Sequence, residues 1–360
     1  MNLSVCIIVK NEEKNIKRCL SCLEHYDFEI VVVDTGSTDR TCEIVHYYTP
    51  NLYFFEWCDD FAAAKNFAIS KATNEYVMII DSDEYLESID LEKLYFFLEQ
   101  YPDKVGRIQR RNIFNRDSQE RENEEWINRI FSKSKFGYEG RIHEQVVNIK
   151  GCSYDTYLAP VVILHSGYDL TEEERVKKAN RNIVLLEQEL ERLKREQQNV
   201  DTQEHIPYLL FQMGKSYYMA KDYDKACEFF ADGLTYDLNP KLEYVIDMVE
   251  SYGYALLNSG QIESALFFEN IYEEFGNNAD FQFLMGLIYM KNACFNEAVR
   301  EFEKAVRHKE CRCKGVNSYL AYYNMGVIYE CLGYMGQAKL CYGKCGSYEP
   351  ALRQMSLMDQ

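Results

Sequence analysis

Between Tyr76 and Leu86 the chain reads YVMIIDSDEYL, an apolar run from Val77 to Ile80 that ends in Asp81, Ser82, Asp83 and Glu84 with no basic residue among them. Three carboxylates this close repel one another, so something must compensate them. One arrangement is a solvated turn in which an Asp caps the following helix. Another is a divalent cation held by hard oxygen ligands. A further carboxylate, Asp34, ends a second apolar run, EIVVVD (29–34), and Gly36 and Ser37 behind it supply a tight turn and a cap.

Such residues need elements to bring them together. LSVCIIV (3–9), EIVVVD (29–34), LYFFEW (52–57) and the run before Asp81 read as strands. Between them, 12–26, 37–48 and 60–72 have helical spacing, with Ser37 or Thr38 capping the second helix and Asp60 the third. Strand–helix alternation with Val- and Ile-rich strands implies a parallel sheet with helices on both faces. Ligands of such sheets bind beyond the carboxyl ends of the strands, where Asp34 and Asp81 both fall. The pair is therefore expected to share a site. Residues 105–165 are looser, with strand-like pieces VGRIQRRNIF, INRIFSK and VVILHSGY. A charged helix over 171–198 carries one apolar stripe, Val176, Ile183, Leu186, Leu190 and Leu193, and so packs on one side.

After residue 205 a repeat takes over. Gly214, Gly253, Gly286 and Gly326 recur, each followed twelve residues later by alanine: Ala226, Ala265, Ala298 and Ala338. Phe230, Phe302 and Tyr342 come four residues after three of those alanines, and Tyr217, Tyr289 and Tyr329 three residues after three of the glycines. Small residues let paired helices approach and aromatics fill the space between pairs. The pattern resembles the tetratricopeptide repeat. It predicts four helix pairs, the second weaker because Leu256 replaces the tyrosine, closed by a capping turn through Leu352, Met355 and Met358. The expected domains are 1–170 (α/β), a linking helix over 171–204, and helical repeats over 205–360.

Composition narrows the function. A net charge of −18 argues against a nucleic-acid partner and against a polybasic dock on anionic lipid. No apolar run reaches the ~20 residues of a membrane span, and the N-terminal run reads as a core strand and not a signal peptide. Thirteen scattered cysteines, odd in number, fit a reducing cytoplasm better than a disulfide framework. The closest approaches to metal or redox spacing, Cys19-x-x-Cys22 and Cys311-x-Cys313, fit helix faces.

Five motifs in order, CIIVKNEEKNI (6–16), VVVDTGSTDRT (31–41), WCDDFAAAKNFAISKA (57–72), IIDSDEYL (79–86) and YEGRIHEQV (138–146), resemble the family 2 glycosyltransferases of GT-A fold over the first ~170 residues. Joined to tetratricopeptide repeats, the layout is similar to bacterial peptide glycosyltransferases that sugar-modify bacteriocin cysteines, and to other bacterial glycosyltransferases. The resemblance implies an α/β GT-A domain that uses a nucleotide-sugar donor, by default UDP-linked, with Mg2+ or Mn2+. Asp81 and Asp83 match its D-x-D motif, Asp83 toward the metal and Asp81 toward the ribose or the metal. Asp34 matches the carboxylate that accepts from the nucleotide base, and Val9 and Asn11 line the place of that base. Lys65 stands where many relatives carry arginine, which weakens a base or phosphate contact there. Glu144 is first choice for the base of an inverting transfer. His143 then meets metal or diphosphate, and His165 competes for the metal. The acceptor is a polypeptide bound by the repeats, a cell-envelope glycan or a lipopolysaccharide core; the repeats alternatively pair two copies of the chain. A nucleotidyltransferase would show a glycine-rich phosphate loop after the first strand, and VKNEEKN has none. A non-catalytic repeat scaffold would have lost Asp81, Asp83, His143 and Glu144, which are all present.

Overall fold

The computed structural model describes residues 2–116, 119–165, 171–195 and 200–358. The 166–168 end of the last expected strand, the 196–198 end of the charged helix and the last two residues of the expected cap lie outside them. The chain divides into two compact units, Met1–Thr171 and Glu172–Gln360.

The first unit runs β1 (Leu3–Val9), α1 (Ile16–Leu23), β2 (Glu29–Asp34), α2 (Thr41–Tyr48), β3 (Leu52–Phe54), α3 (Phe61–Lys71), β4 (Tyr76–Ile79), β5 (Glu84–Ile89), α4 (Leu91–Gln100), β6 (Val105–Arg116), β7 (Gln119–Ser132), β8 (Phe136–Glu139), β9 (Gln145–Asn148) and β10 (Thr156–His165). Eight of these strands form one sheet in the order β3-β2-β1-β4-β7-β6-β10-β5, and β8 pairs β9 separately. Alternation along β1 splits its side chains between two cores. Leu3, Val5 and Ile7 pack with Leu20, Val45 and Leu94 of α1, α2 and α4. Cys6 packs with Ala68 of α3 and Phe136 of β8. The apolar strands thus carry helices on both faces.

The sheet is parallel from β3 to β4 and again between β6 and β10; β7 enters antiparallel between β4 and β6, and β5 is antiparallel to β10. The four strands expected to be parallel are so, and the looser strand-like pieces after residue 105 add the antiparallel β6–β7 hairpin beside them. The acidic knot does not cap a helix. Residues 81–83 turn directly into β5, and the next helix, α4, is capped by Asp90, which accepts from the Lys93 N–H at 3.0 Å. Helix α2 begins at Thr41 and not near Ser37, because Ser37 and Thr38 bond into the loop after β1. Asp60 does cap α3, accepting from the Ala63 N–H at 2.8 Å.

The second unit is helical: α5 (Glu172–Arg195), α6 (Val200–Met219), α7 (Tyr223–Gly233), α8 (Glu243–Asn258), a 3-10 helix (Ser264–Ile271), α9 (Tyr272–Phe275), α10 (Ala279–Lys291), α11 (Phe295–Ala305), α12 (Tyr319–Cys331), α13 (Met335–Gly343) and α14 (Glu349–Met358). Helix α5 packs along α6 through its apolar stripe. The repeat glycines mark close approach. A Cβ on Gly214, Gly286 or Gly326 would lie 2.5 Å from the ring of Phe230, Phe302 or Tyr342, the aromatic sixteen residues on. The weak second copy departs here too: Gly253 abuts Leu284 of α10, and Phe268 fills its core from the 3-10 helix. In the closing helix Ala351 is buried and Met355 and Met358 pack on the last pair, whereas Leu352, expected in that stripe, is exposed.

Gly286→Ala is expected to lower stability by about 1–3 kcal/mol by overpacking against Phe302. Gly336→Ala in α13, where an added Cβ meets nothing within 4 Å, should be neutral or stabilising. Urea unfolding of both variants checks this; equal effects would mean that glycine spacing does not report helix approach.

Candidate active site

The site starts at the strand ends. In the β1–β2 register Val9 lies opposite Asp34, and in β1–β4 Cys6 lies opposite Ile79, so Asp34 and Asp81 emerge at the same edge. Asp34 is buried; its Oδ1 accepts from the Gly36 and Ser37 N–H groups, each at 2.9 Å. Its Oδ2 is buried and has no hydrogen-bond partner among the described residues. Gly36 sits at φ 106, where a side chain would be strained. Val9 and Asn11 turn out to staple this loop. The Val9 carbonyl accepts from Thr35 N–H at 2.9 Å, and Asn11, at φ 55, takes the Thr38 N–H on its Oδ1 at 2.8 Å.

The acidic knot is compensated by cations from three distant elements. Lys65 of α3 lies 3.1 Å from Asp81 Oδ1, and Arg129 of β7 lies 2.7 Å from Asp81 Oδ2. Arg129 also reaches Glu84 at 3.1 Å, as does Arg110 of β6. Glu84 is fully buried, and its other oxygen takes the Asp81 N–H at 2.8 Å. Burial alone would raise the Asp81 pKa; Arg129, then Lys65, outweigh it and hold the carboxyl well below the ordinary carboxylate range. Burial likewise works against the charge on Lys65, but Asp81 and Glu144 keep its pKa raised.

Lys65 Nζ is also 2.6 Å from Glu144 Oε1. The segment carrying Glu144 is pinned to α3: Asn66 donates to the Tyr138 carbonyl at 2.8 Å and accepts its N–H at 2.9 Å, and Phe61 N–H donates to the Arg141 carbonyl at 2.8 Å. Gly140 (φ 100) and His143 (φ 52) form the bend that returns Glu144 to Lys65. The buried Tyr138 ring lies 5.3 Å from Lys65 Nζ, and its hydroxyl has no hydrogen-bond partner among the described residues. Burial pushes that hydroxyl up to about 12.

Asp83 faces His165, the last residue of β10, with Oδ2 and Nε2 3.4 Å apart. The tautomer follows from the network. Asn112 donates its amide N–H to Glu125 at 2.7 Å, so its Oδ1, 2.8 Å from His165 Nδ1, must accept the Nδ1–H. His165 Nε2 thus faces the Asp83 carboxylate with the ring fixed through its other nitrogen, as a metal ligand requires. Among the described residues no group of three or more His, Cys, Asp and Glu converges as a metal cluster. Asp83 and His165 are thus a two-ligand set that fits a divalent ion completed by ligands from outside the chain, such as phosphate oxygens. Asp81, expected toward the ribose or the metal, has both oxygens engaged by cations.

Sequence reasoning missed Arg110, Asn112, Glu125, Arg129 and Tyr138. Arg129 had a signal: it is the one cation within the apolar run INRIF.

Residues 4–155 match Glycosyl transferase family 2, and residues 319–351 match the tetratricopeptide repeat. Over 234 residues the chain is 28% identical to the SPbeta prophage-derived glycosyltransferase SunS of Bacillus subtilis, covering 62% of this chain and 51% of SunS. It is 32% identical over 156 residues to the lipopolysaccharide core biosynthesis glycosyltransferase LpsC of Rhizobium meliloti, covering 40% of this chain and 57% of LpsC. The chain therefore spans about half the length of these curated relatives. Among solved structures, TarS of S. aureus is similar at TM-score 0.39 and 15% identity over 76% of this chain and 55% of TarS. No helix of the described residues is long and apolar enough to cross a membrane.

Arg129→Met leaves the buried Glu84 and one oxygen of Asp81 short of a partner, and is expected to cost about 3–5 kcal/mol. The Asp81 pKa is depressed in the fold, so its contribution is present above the unfolded value and lost as pH falls below about 4. Urea titrations from neutral to acid pH check both points. A loss below about 1 kcal/mol for Arg129→Met, within the range of exposed pairs, would show that the ion pairs do not hold the knot.

Proposed function

We propose, from the family 2 glycosyltransferase domain of residues 4–155 and the C-terminal tetratricopeptide repeat, that the protein moves a sugar from a UDP-sugar to an acceptor with inversion, and that the acceptor is a polypeptide chosen by the repeats. The observation that carries the donor reading is Asp34. One of its oxygens is clamped by two backbone N–H groups, and the other is buried without a partner among the described residues. A buried carboxylate oxygen left so is costly unless a ligand donates to it, and the imino N–H of uracil is such a donor.

In an inverting transfer the acceptor nucleophile attacks the anomeric carbon opposite the diphosphate. The bond to the diphosphate breaks, and the nucleophile's proton goes to a base. Glu144 takes that proton; Lys65 orients it at 2.6 Å. His143, at the bend, sets the direction of Glu144. Asp83 and His165 would hold Mg2+ or Mn2+, whose chemistry there is Lewis-acid neutralisation of the leaving diphosphate. Asp81, fixed between Lys65 and Arg129, faces the ribose and not the metal.

Screening hydrolysis of UDP-, GDP- and dTDP-sugars with Mn2+ tests the donor. UDP should raise the melting temperature in a Mn2+-dependent way in the wild type. Asp83→Ala should lose that dependence and Asp34→Asn should lose the shift by UDP. An unchanged UDP shift in Asp34→Asn would place the base elsewhere.

Glu144→Gln is expected to lower turnover ~10²–10⁴-fold, as loss of a general base does, with UDP-sugar affinity nearly unchanged. Collapse of affinity with surviving turnover would make Glu144 a binding group.

A further inference from the structure

Away from the site just described, the first helices of three successive repeats bring charged groups together. Lys215 of α6 lies 2.9 Å from Asp247 of α8. One turn on, Glu250 of α8 pairs through Oε2 with Arg312, which comes from the segment between α11 and α12. Asp280, at the start of α10, accepts the Arg312 and Cys313 N–H groups, each at 2.8 Å, and so anchors that segment over Glu250.

Three carboxylates thus face two cations. Asp280 has both oxygens bonded, and Asp247 is a third exposed and paired. Glu250 is different. Its side chain is only 8% exposed, yet Oε1 is buried with no hydrogen-bond partner among the described residues. A buried carboxylate oxygen without a donor is costly, and an acid at this place in a repeat contributes nothing to packing that glutamine or leucine would not. Burial, with Asp280 and Asp247 nearby, pushes the Glu250 carboxyl up to about 8 in spite of Arg312. A further positive charge beside it favours its ionised form. Arg312 itself is 43% exposed, so the way to Glu250 lies past a movable side chain.

We propose that Asp247, Glu250 and Asp280 form a recognition site for a cationic side chain, lysine or arginine, of the polypeptide acceptor. This rests on the reading that the repeats select a polypeptide. Each N–H of an incoming ammonium or guanidinium supplies the donor that Glu250 Oε1 lacks, and its charge balances the third carboxylate. Asp247, at the surface end of the cluster, meets the cation first.

The test uses the full chain without donor and eight-residue peptides blocked at both ends, oligolysine, oligoserine and oligoglutamate, followed by fluorescence anisotropy. Oligolysine should bind and the other two should not. A net charge of −18 attracts basic peptides everywhere, so the variants decide. Glu250→Gln and Asp247→Asn should each weaken oligolysine about tenfold, a change of 1.4 kcal/mol. The exposed pair Glu273→Gln/Glu274→Gln should leave it unchanged. Wild-type affinity should also rise between pH 6 and 9, as Glu250, facing Lys215, Asp247, Asp280 and Arg312, gives up its proton; Glu250→Gln should lack that rise. Equal loss in the Glu273/Glu274 control, or full affinity in Glu250→Gln, would overturn the site. UDP-sugar hydrolysis by the same variants reports separately on the transferase reading and should match wild type.

Discussion

One ammonium group organises the first unit. Lys65 Nζ sits between Asp81 and Glu144, buried, 3.1 and 2.6 Å from them. A lysine brought so far out of water must be paired on more than one side to remain charged. Asp81 also pairs with Arg129, whereas Lys65 pairs Glu144 at 2.6 Å. The contact joins helix α3, the end of β4 and the bend after β8. These are three of the five sequence motifs, up to 79 positions apart from Lys65 to Glu144. Arginine at this place would bring a planar fork to two carboxylates that approach from different elements; a point charge serves both without alignment.

From this contact the network spreads along the sheet. Arg129 repeats the arrangement between Asp81 and Glu84, and Arg110 between Glu84 and Glu125. Glu125 then fixes the Asn112 amide, which fixes His165, which faces Asp83. Each step is short and directional, so the orientation of the Asp83–His165 pair is set by strands β6 and β7 that never touch it in sequence. A change in the hairpin would be felt at the Asp83–His165 pair through this chain of bonds and not through the core.

The strands β1 and β2 were legible to the residue, because continuous Val and Ile between turn residues admit little else. In the second half of the sheet the same reasoning found pieces of β6, β7 and β10 but not their pairing, and it missed β5, which follows β4 after four residues. Asp34, Asp81, Asp83, Glu144 and His165 could be named from strand ends and motifs. Their partners could not, because Arg110 and Arg129 lie in mid-strand, and pairing across an antiparallel hairpin is invisible until register is known. The question raised by the acidic knot therefore had an answer that local sequence did not offer: neighbours on other elements carry the charge. In the repeats, glycine and aromatic spacing was enough, since one steric constraint fixes each helix pair. It failed in the second copy, where a 3-10 helix supplies Phe268 one position earlier than the pattern requires.

Compared with each other, these two charged clusters show which feature supports a ligand. In the first unit Asp81, Glu84, Glu125 and Glu144 outnumber Lys65, Arg110 and Arg129 by one; in the second Asp247, Glu250 and Asp280 outnumber Lys215 and Arg312 by one. The charge deficit is the same, so it does not distinguish them. Exposure does in part, since Glu125 is 42% exposed and water screens it, whereas Glu250 is 8% exposed. What separates them is hydrogen bonding atom by atom. In the first cluster both oxygens of Asp81 and of Glu84 have donors. In the second, one buried oxygen has none among the described residues, the condition it shares with Asp34 at the strand edge. A missing donor on a buried carboxylate is what both proposals rest on: at Asp34 the proposed donor is the flat, neutral N–H of a nucleobase, and at Glu250, near Asp247 and Asp280, an N–H bearing charge.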